Sequence, residues 1–303
     1  MSSSAGTAPD RAATIQVWLI VAMGVWGLNV AAVKQLTGSF DSLLLAALRM
    51  VVAVIALSVA VYWKGCRWPA VSARQLAALV LCGFLMVYLN QLLFAEGLTR
   101  STATNGALIM ALSPLVSAVL ATLLFSERMG FRRAAGVLLG LVGVAAVILS
   151  HPGAHISRAS SGDLMLVAGV VSFATGGAMV QRLSRHMHPL WISWAIYVVG
   201  TAMLLVQTMG SSTTLTVASI FPGWWPWALI LFSGVLATAV SNLVWNGAIA
   251  AIGVARTAVF LYLVPLFGVA FAAILLGERL NAWHALGFAT VVAGTYLGSR
   301  RPG

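Results

Sequence analysis

Long apolar runs separated by short polar breaks extend over nearly the whole chain. Each run is about 20 residues long, the length of an α-helix that crosses the hydrocarbon core of a bilayer. The pattern therefore predicts ten transmembrane helices. We place the spans at residues 17–36, 43–63, 75–96, 102–125, 133–150, 163–182, 189–207, 225–249, 254–276 and 283–299.

Polar segments divide the predicted spans into two halves. Residues 1–14 are small and polar, and we predict a disordered cytoplasmic tail there. A first five-helix repeat follows over 15–150, then a linker over 151–162 and a second five-helix repeat over 163–299. Residues 300–303 form a second cytoplasmic tail.

The composition of the chain predicts that lipid is its main solvent. Hydrophobic residues make up 61% of the chain and charged residues 8%, whereas a soluble domain carries about 25% charged residues. We therefore predict an all-α integral membrane protein. The net charge of +11 would suggest nucleic-acid binding in a soluble protein, but the basic residues here fall in the breaks between apolar runs.

The positions of Lys and Arg predict the orientation in the membrane. With the N-terminus in the cytoplasm, twelve of the 17 Lys and Arg residues fall on the cytoplasmic side. Four fall outside (Lys34, Arg100, Arg158 and Arg279), and Arg49 lies inside a span. This asymmetry follows the positive-inside rule. We expect a multi-pass protein of a bacterial-type inner membrane, with both termini in the cytoplasm.

An internal repeat relates the two halves at a fixed offset of 151 residues. Pro114 matches Pro265 and Glu127 matches Glu278, each Glu is followed by Arg, and two glycines match in the same register. Apolar composition alone does not produce such matches. Because the repeat holds five spans, an odd number, the second copy must enter the membrane from the opposite side. Inverted repeats are common in secondary transporters, whose binding site lies at the midplane between the halves.

With these features, the sequence resembles the drug/metabolite transporter superfamily, specifically its ten-helix EamA-type permeases. The likeness rests on the segments around Pro114 and Pro265, the Glu-Arg pairs and the glycine-spaced helices after them, together with Trp26 and the pair Leu48-Arg49. It covers nearly the whole chain.

The resemblance implies a basket of ten helices around a central cavity. The first, third, fourth, sixth, eighth and ninth helices would line that cavity. Among EamA-type permeases, the chain looks most like the exporters of aromatic and other neutral amino acids. We therefore expect a secondary exporter that works by alternating access, with other small metabolites or drugs as the alternative substrates.

Polar and aromatic side chains inside the spans are the candidates for the substrate cavity, because polar groups are costly in lipid. Helical spacing places Tyr88 on one stripe with Gln91, and Thr238 on one stripe with Asn242. The alternative role for these polar residues is hydrogen bonding between packed helices. We predict the following cavity residues: Trp26, Asn29, Tyr88, Gln91, Asn105, Met110, Ser113, Phe173, Met179, Asn242, Trp245 and Tyr262.

Two prolines lie inside predicted spans. Pro114 and Pro265 each remove a backbone hydrogen bond and crowd the preceding turn, so each should kink its helix. We consider two roles for these kinks, a hinge that moves during transport and a static bend that shapes the basket.

The few ionisable residues narrow the class of substrate. Arg49 is the one charge well inside a span, where it either snorkels or caps helix carbonyls near the cavity. Glu127 and Glu278 are expected to favour the N-termini of the helices that follow them. No Asp or Glu lies at midspan to pair with a cationic drug, and the cavity spans lack the several Lys or Arg residues that would bind phosphate. A neutral or zwitterionic metabolite therefore fits best.

Motifs of other function classes are missing from the sequence. It contains no H-E-x-x-H, no G-x-S-x-G and no P-loop. We predict no catalytic residue, no metal and no cofactor, with an intramembrane enzyme or a channel as the alternatives. The expected protein is a monomer that contacts an amino-acid-like substrate and membrane lipid, and no nucleic acid.

Overall fold

Apolar helices of bilayer length dominate the computed structural model of the chain. The structure describes residues 8–65, 70–110, 159–211, 216–252, 259–278 and 282–299. It also describes these shorter pieces: 112–113, 115–117, 119–120, 131, 135–136, 138–139, 142–143, 257 and 280. No strand occurs among these residues.

Nine helices make up the described part of the chain. The first five are α1 (Ala8–Leu36), α2 (Ser42–Trp63), α3 (Ala73–Thr99), α4 (Ala103–Met110) and α5 (Ala159–Leu183). α6 (Pro189–Gly210) is followed by a single turn, Val217–Ile220, and by α7, which runs through Trp224–Leu231, Phe232–Val240 and Ser241–Ile252. A 3-10 turn, Val259–Tyr262, leads into α8 (Leu263–Leu276), and α9 (Ala282–Ser299) closes the chain.

Six of these helices are long and apolar enough to cross a membrane, judged by length and composition. They are α1, α2, α3, α5, α6 and α7, at the places of the first, second, third, sixth, seventh and eighth predicted spans. Shorter apolar helices occupy the described parts of the fourth, ninth and tenth spans. The fifth predicted span, 133–150, lies mostly outside the described residues, and so does Pro114.

Two helices begin earlier than the apolar pattern predicted. α1 begins at Ala8 instead of residue 17, so the prediction of disorder was wrong for residues 8–14. α5 begins at Ala159, inside the predicted linker. Hydropathy marks the segment that lies in lipid, whereas a helix continues into water wherever the sequence tolerates it. Alanine favours helix and proline is accepted in a first turn, as in residues 8–13.

Glycines allow the helices to approach closely. Packing between helices in lipid depends on small residues at the contact, because the hydrophobic effect offers little advantage there. A Cβ on Gly200 of α6 would lie 2.4 Å from Val87 Cβ of α3 and 2.7 Å from the Gly83 carbonyl oxygen. The backbones of α3 and α6 therefore touch at this point.

A similar contact recurs 151 residues later along the chain. A Cβ on Gly83 would lie 2.9 Å from the Ile196 carbonyl oxygen of α6. A Cβ on Gly234 of α7 would lie 2.8 Å from the Arg49 carbonyl oxygen of α2. α3 therefore meets α6 as α7 meets α2, each contact joining the two sequence halves. Ile196 meets Gly83 in the first contact as Arg49 meets Gly234 in the second.

Both α3 and α7 contain a π-helical segment, at Phe84–Leu89 and Phe232–Val240. The two segments end at Leu89 and Val240, which are again 151 residues apart. π-Helical turns are rare and frequently mark functional sites. Here both precede polar residues, Asn90-Gln91 in α3 and Ser241-Asn242 in α7.

Polar contacts hold together the end of the bundle where α4 begins. The Glu278 carboxylate accepts hydrogen bonds from the Ala103 and Thr104 backbone N–H groups (2.9 and 3.0 Å) and from the Thr104 hydroxyl (2.5 Å). Among the described residues these hydrogen bonds of Glu278 cap α4, whereas the sequence predicted a role at the helix that follows Glu278. Lys34 Nζ donates to the Leu98 and Ser101 carbonyls beside it (2.7 and 2.5 Å).

The Gly200 contact gives a test of the packing. Gly200→Ala should lower the free energy of unfolding by about 1–3 kcal/mol, because the new methyl group overlaps Val87 and backbone atoms that cannot yield. Gly177→Ala in α5 is the matched control, since its Cβ would meet nothing within 4 Å, and it should be neutral or slightly stabilising. Thermal unfolding in detergent, followed by tryptophan fluorescence, measures both variants. Equal melting temperatures would contradict the close approach of α3 and α6.

Candidate functional site

A cavity lies where α1, α2, α3, α4, α5 and α7 meet near the start of α8. It contains about 780 Å³ of empty space, part of which is open to the outside. Its lining comes from the six predicted cavity spans and, in addition, from the second span through Arg49. The lining residues are Trp26, Asn29, Val30, Arg49, Asn90, Gln91, Phe94, Ile109, Met110, Ser113, Leu166, Gly169, Val170, Phe173, Ala237, Thr238, Asn242 and Leu261.

A continuous hydrogen-bond network crosses one wall of this cavity, with Arg49 at its centre. Arg49 Nε donates to Ser233 Oγ (2.6 Å), and Arg49 Nη1 donates to Gln91 Oε1 (3.2 Å). Ser233 Oγ in turn donates a hydrogen bond to Asn29 Oδ1 (2.5 Å). Gln91 Nε2 donates to Asn90 Oδ1 (3.2 Å), which completes a chain of side chains from α1, α7, α2 and α3.

The network extends to α5 through a backbone carbonyl. Asn90 Nδ2 donates to the Gly169 carbonyl oxygen at 2.9 Å. Gly169 has no side chain to fill the space, so the carboxamide of Asn90 can reach that oxygen. One polar chain thus links helices from both halves of the sequence.

The environment of Arg49 differs from both roles that its sequence position suggested. The side chain is 1% exposed, so it does not snorkel to the membrane surface. Among the described residues, its hydrogen bonds go to side-chain oxygens and not to helix carbonyls. A guanidinium is always charged in proteins, so the wall carries one positive charge surrounded by neutral acceptors.

Aromatic rings form another wall of the cavity. The Trp26 ring packs edge-on against Phe173 with centroids 6.4 Å apart, and it lies 5.5 Å from the ring of Trp245. Trp26 Nε1 donates to the Ala237 carbonyl oxygen at 2.7 Å, which fixes the indole orientation. Since the ring has both a polar anchor and apolar neighbours, it presents a rigid apolar surface to the cavity.

The π-helical segments supply the backbone acceptors for these anchors. A π turn shifts the regular helix bonding, so its carbonyls accept additional bonds from side chains. Trp26 of α1 donates to Ala237 in the α7 segment, and Ser172 of α5 donates to Leu85 in the α3 segment (2.6 Å). The opening helix of each sequence half therefore holds the π segment of the other half.

Seven of the predicted cavity residues line the cavity. They are Trp26, Asn29, Gln91, Met110, Ser113, Phe173 and Asn242. Asn242 Nδ2 donates to the Thr238 carbonyl oxygen one turn earlier, at 2.9 Å. These residues come from five helices or helical segments, and the fold brings them to one space.

The other predicted residues lie elsewhere. Tyr88 stacks on Phe84 with centroids 5.5 Å apart, and Tyr88 and Met179 each pack against a hydrophobic core built mainly by α2, α3, α5 and α6. Asn105 is fully buried and donates to Asp163 at 3.3 Å, at the end of the bundle where α4 begins. Trp245 packs behind Trp26. The side chain of Tyr262 lies outside the described residues.

Pro265 lies in the first turn of α8, three residues after the 3-10 turn ends. A proline at this place costs little, because the first turn of an α-helix has free N–H groups. The change from 3-10 to α geometry is the irregularity that accompanies Pro265.

The predicted set omitted three polar residues of the lining, Arg49, Asn90 and Thr238. A signal for Arg49 was present, since it is the one charge well inside a span. Asn90 adjoins Gln91 and Thr238 precedes Asn242 by one turn, so both lay beside residues already chosen. No sequence signal identified Ser233 as the link between Arg49 and Asn29.

The sequence profile of the EamA-like transporter family matches this chain twice, over residues 13–149 and 160–300. The chain is also similar to several named proteins. It is 28% identical over 289 residues to the "Probable terminal-alkyne amino-acid exporter" of Streptantibioticus cattleyicolor, covering 94% of this chain and 93% of the relative. It is 26% identical over 289 residues to the "Probable amino-acid metabolite efflux pump" of Salmonella typhimurium, covering 90% of each.

A further relative is the "Uncharacterized transporter YyaM" of Bacillus subtilis, which is 27% identical over 251 residues, 82% of this chain and 80% of the relative. A solved structure, described as the crystal structure of a protein, superposes with a TM-score of 0.67. That superposition covers 94% of this chain and 96% of the other at 16% sequence identity. It shows a shared fold.

The hydroxyl of Ser233 gives a test of the network. Ser233→Ala should lower the free energy of unfolding by about 1–3 kcal/mol, because it leaves a buried charged donor and a buried carboxamide without their common partner. Ser117→Ala is the matched control, since its hydroxyl donates to the Ser113 carbonyl of the same helical stretch. Melting temperatures in detergent compare the two. A loss for Ser117→Ala as large as that for Ser233→Ala would exclude a special role for the network.

Proposed function

Because this chain belongs to the EamA-like transporter family, we propose that it exports small neutral or zwitterionic metabolites, chiefly amino acids with aromatic or other neutral side chains. The observation that carries this proposal is the pairing of an aromatic wall with a polar wall around one cavity. The rings of Trp26 and Phe173 suit an apolar side chain. The network of Arg49, Gln91 and Asn90 suits the polar head of an amino acid.

The charge of the cavity lining supports this class of substrate. Among the described lining residues there is no Asp or Glu, so nothing there would neutralise a cationic drug. The names of two relatives, an amino-acid exporter and an amino-acid metabolite efflux pump, point to the same class.

We propose further that ten helices form an inverted repeat of five plus five, over 15–150 and 163–299. Support comes from the two family matches and from the 151-residue offset that recurs in the glycine contacts and in the π segments. In such a repeat each half can take the conformation of the other, which exchanges the side on which the cavity opens. Pro114 and Pro265 remain candidates for the hinge or kink in this exchange.

The proposed orientation places both termini in the cytoplasm of a bacterial-type inner membrane. The end of the bundle with Glu278, Lys34 and the start of α4 then faces outward. The contacts of Glu278 with Ala103 and Thr104 close α4 against the α8–α9 connection on that side. We expect these contacts to open during transport outward. We propose a monomer as the transporting unit.

Reconstituted protein gives the principal test. Purified protein in liposomes should exchange labelled neutral amino acids, with aromatic ones among the substrates. Gln91→Ala and Asn242→Ala should each reduce the transport rate by about tenfold, because each removes a hydrogen-bonding group from the cavity wall. Gln35→Ala, at an exposed position near the end of α1, is the matched control and should keep the rate of the unaltered protein.

Two results would contradict the proposal. A well-folded preparation that carries a cationic dye and no amino acid would show that the substrate class is wrong. Unchanged rates for both Gln91→Ala and Asn242→Ala would assign these residues to packing.

The orientation has its own test. An epitope tag inserted beside Arg158, in the predicted linker, should be labelled from outside intact cells by a reagent that does not cross the membrane. A tag at the C-terminus should be labelled after permeabilisation only. The reverse pattern would overturn the proposed topology.

A further inference from the structure

Arg49 is the single charged side chain among the described residues that line the cavity. We propose that it binds the carboxylate of the substrate, so that a carboxylate is required for transport and an amino group is not. This inference rests on the proposed function and makes it narrower. It defines the substrates as small organic acids with an apolar part, of which neutral amino acids are one kind.

The first reason is that, within the part of the chain that the structure describes, no carboxylate forms a salt bridge with Arg49. The salt bridge between Arg100 and Glu96 involves neither Arg49 nor another residue of the cavity lining. The partners of Arg49 are a hydroxyl and a carboxamide, both neutral. A charge inside a membrane protein is costly unless paired, and a substrate carboxylate would supply the missing charge.

The second reason is that Arg49 retains donors for a ligand. A guanidinium has five N–H donors in a planar fork that matches a carboxylate. Ser233 and Gln91 each accept one of them, and these are the two hydrogen bonds that Arg49 makes within the described residues. These two hydrogen bonds also fix the plane of the guanidinium. Binding of the substrate therefore costs little additional conformational entropy of the Arg49 side chain.

The third reason is that the corresponding helix contact in the other half is made by an apolar residue. The backbone of Arg49 meets Gly234 as the backbone of Ile196 meets Gly83 in the corresponding contact. Ile196 is 1% exposed and packs in the core between α2, α3 and α6. The two halves therefore build the same helix contact with an apolar residue in one case and a cation in the other.

The other residues of the cavity lining determine what can bind beside Arg49 together with the substrate carboxylate. Gln91 and Asn29 direct their side-chain oxygens to the network, as acceptors for Arg49 and Ser233. These oxygens would repel a second anion, so the site holds one carboxylate and not a polyanion. Trp26 and Phe173 line the same cavity and would cover the apolar part of the acid.

Competition among three compounds with the same phenylpropyl skeleton tests the inference. Purified full-length protein in liposomes takes up labelled phenylalanine in the presence of unlabelled phenylalanine, 3-phenylpropanoate or phenylalaninamide. We expect 3-phenylpropanoate to compete within a few-fold of phenylalanine. Phenylalaninamide, which has the amino group and no carboxylate, should compete about tenfold to a hundredfold more weakly, the ratio typical of a lost hydrogen bond to a charged group.

Variants of Arg49 test whether this residue causes the preference for a carboxylate. The relevant ratio is the concentration of phenylalaninamide that halves uptake, divided by the concentration of phenylalanine that does so. In Arg49→Gln this ratio should fall to near one, whereas Arg49→Lys should keep an intermediate ratio. Arg100→Gln, which removes a half-exposed cation outside the cavity, is the matched control and should leave the ratio unchanged. A merely structural role for Arg49 would lower uptake of all compounds and leave the ratio as it was.

Each outcome decides one of the two proposals. Equal competition by phenylalaninamide on the unaltered protein overturns the carboxylate site while leaving amino-acid export in place, and this holds even if Arg49→Gln does not fold. An unchanged ratio in a folded Arg49→Gln protein also overturns it. Absence of uptake and of competition by every compound overturns the proposed function, and the carboxylate site with it.

Discussion

The burial of one guanidinium charge is the constraint on which the arrangement of this bundle depends. Arg49 lies within a helix of bilayer length and is shielded from water, where an uncompensated charge costs several kcal/mol. Part of this cost is offset by Ser233 and Gln91, which accept hydrogen bonds from the guanidinium, and by Asn29, which accepts one from Ser233; these residues lie on three other helices. Those helices must meet at one depth for the acceptors to reach the charge. The same convergence creates the wall of the cavity, so stability of the bundle and recognition of the substrate share one set of side chains.

Helical periodicity predicted the spans and part of the cavity, and its errors have an identifiable cause. Tyr88 and Gln91 fall on one stripe if the third span is a regular α-helix, but a π segment ends at Leu89 between them. The wider turn changes the angle between successive side chains, so Gln91 lines the cavity while Tyr88 packs against the hydrophobic core. Sequence offers no comparable warning of a π turn. Asn105 differs for another reason, because its partner Asp163 belongs to the other half of the chain. Hydrophobic pattern contains no information on such distant pairs.

The two halves share a scaffold and divide the chemistry unequally. Glycines and π segments recur at a 151-residue offset, and each opening helix donates a side chain to the π segment of the other half. Where the backbone of Arg49 meets Gly234, however, the corresponding contact with Gly83 is made by the apolar residue Ile196. The internal repeat in the sequence could therefore predict how the helices pair. It could not predict which half supplies the charge that the cavity presents.

The π segments of α3 and α7 have a consequence for how such cavities diverge among related chains. A π turn holds about one residue more than an α turn, because its hydrogen bonds join residues five apart instead of four. Removing one residue from Phe84–Leu89 would therefore return that turn to α geometry, and Asn90 and Gln91 would keep facing the cavity. A residue removed from a regular α-helical part of α3 would instead rotate everything beyond it by roughly 100°. The π segments are thus the places where related chains can gain or lose a residue and keep the same cavity lining.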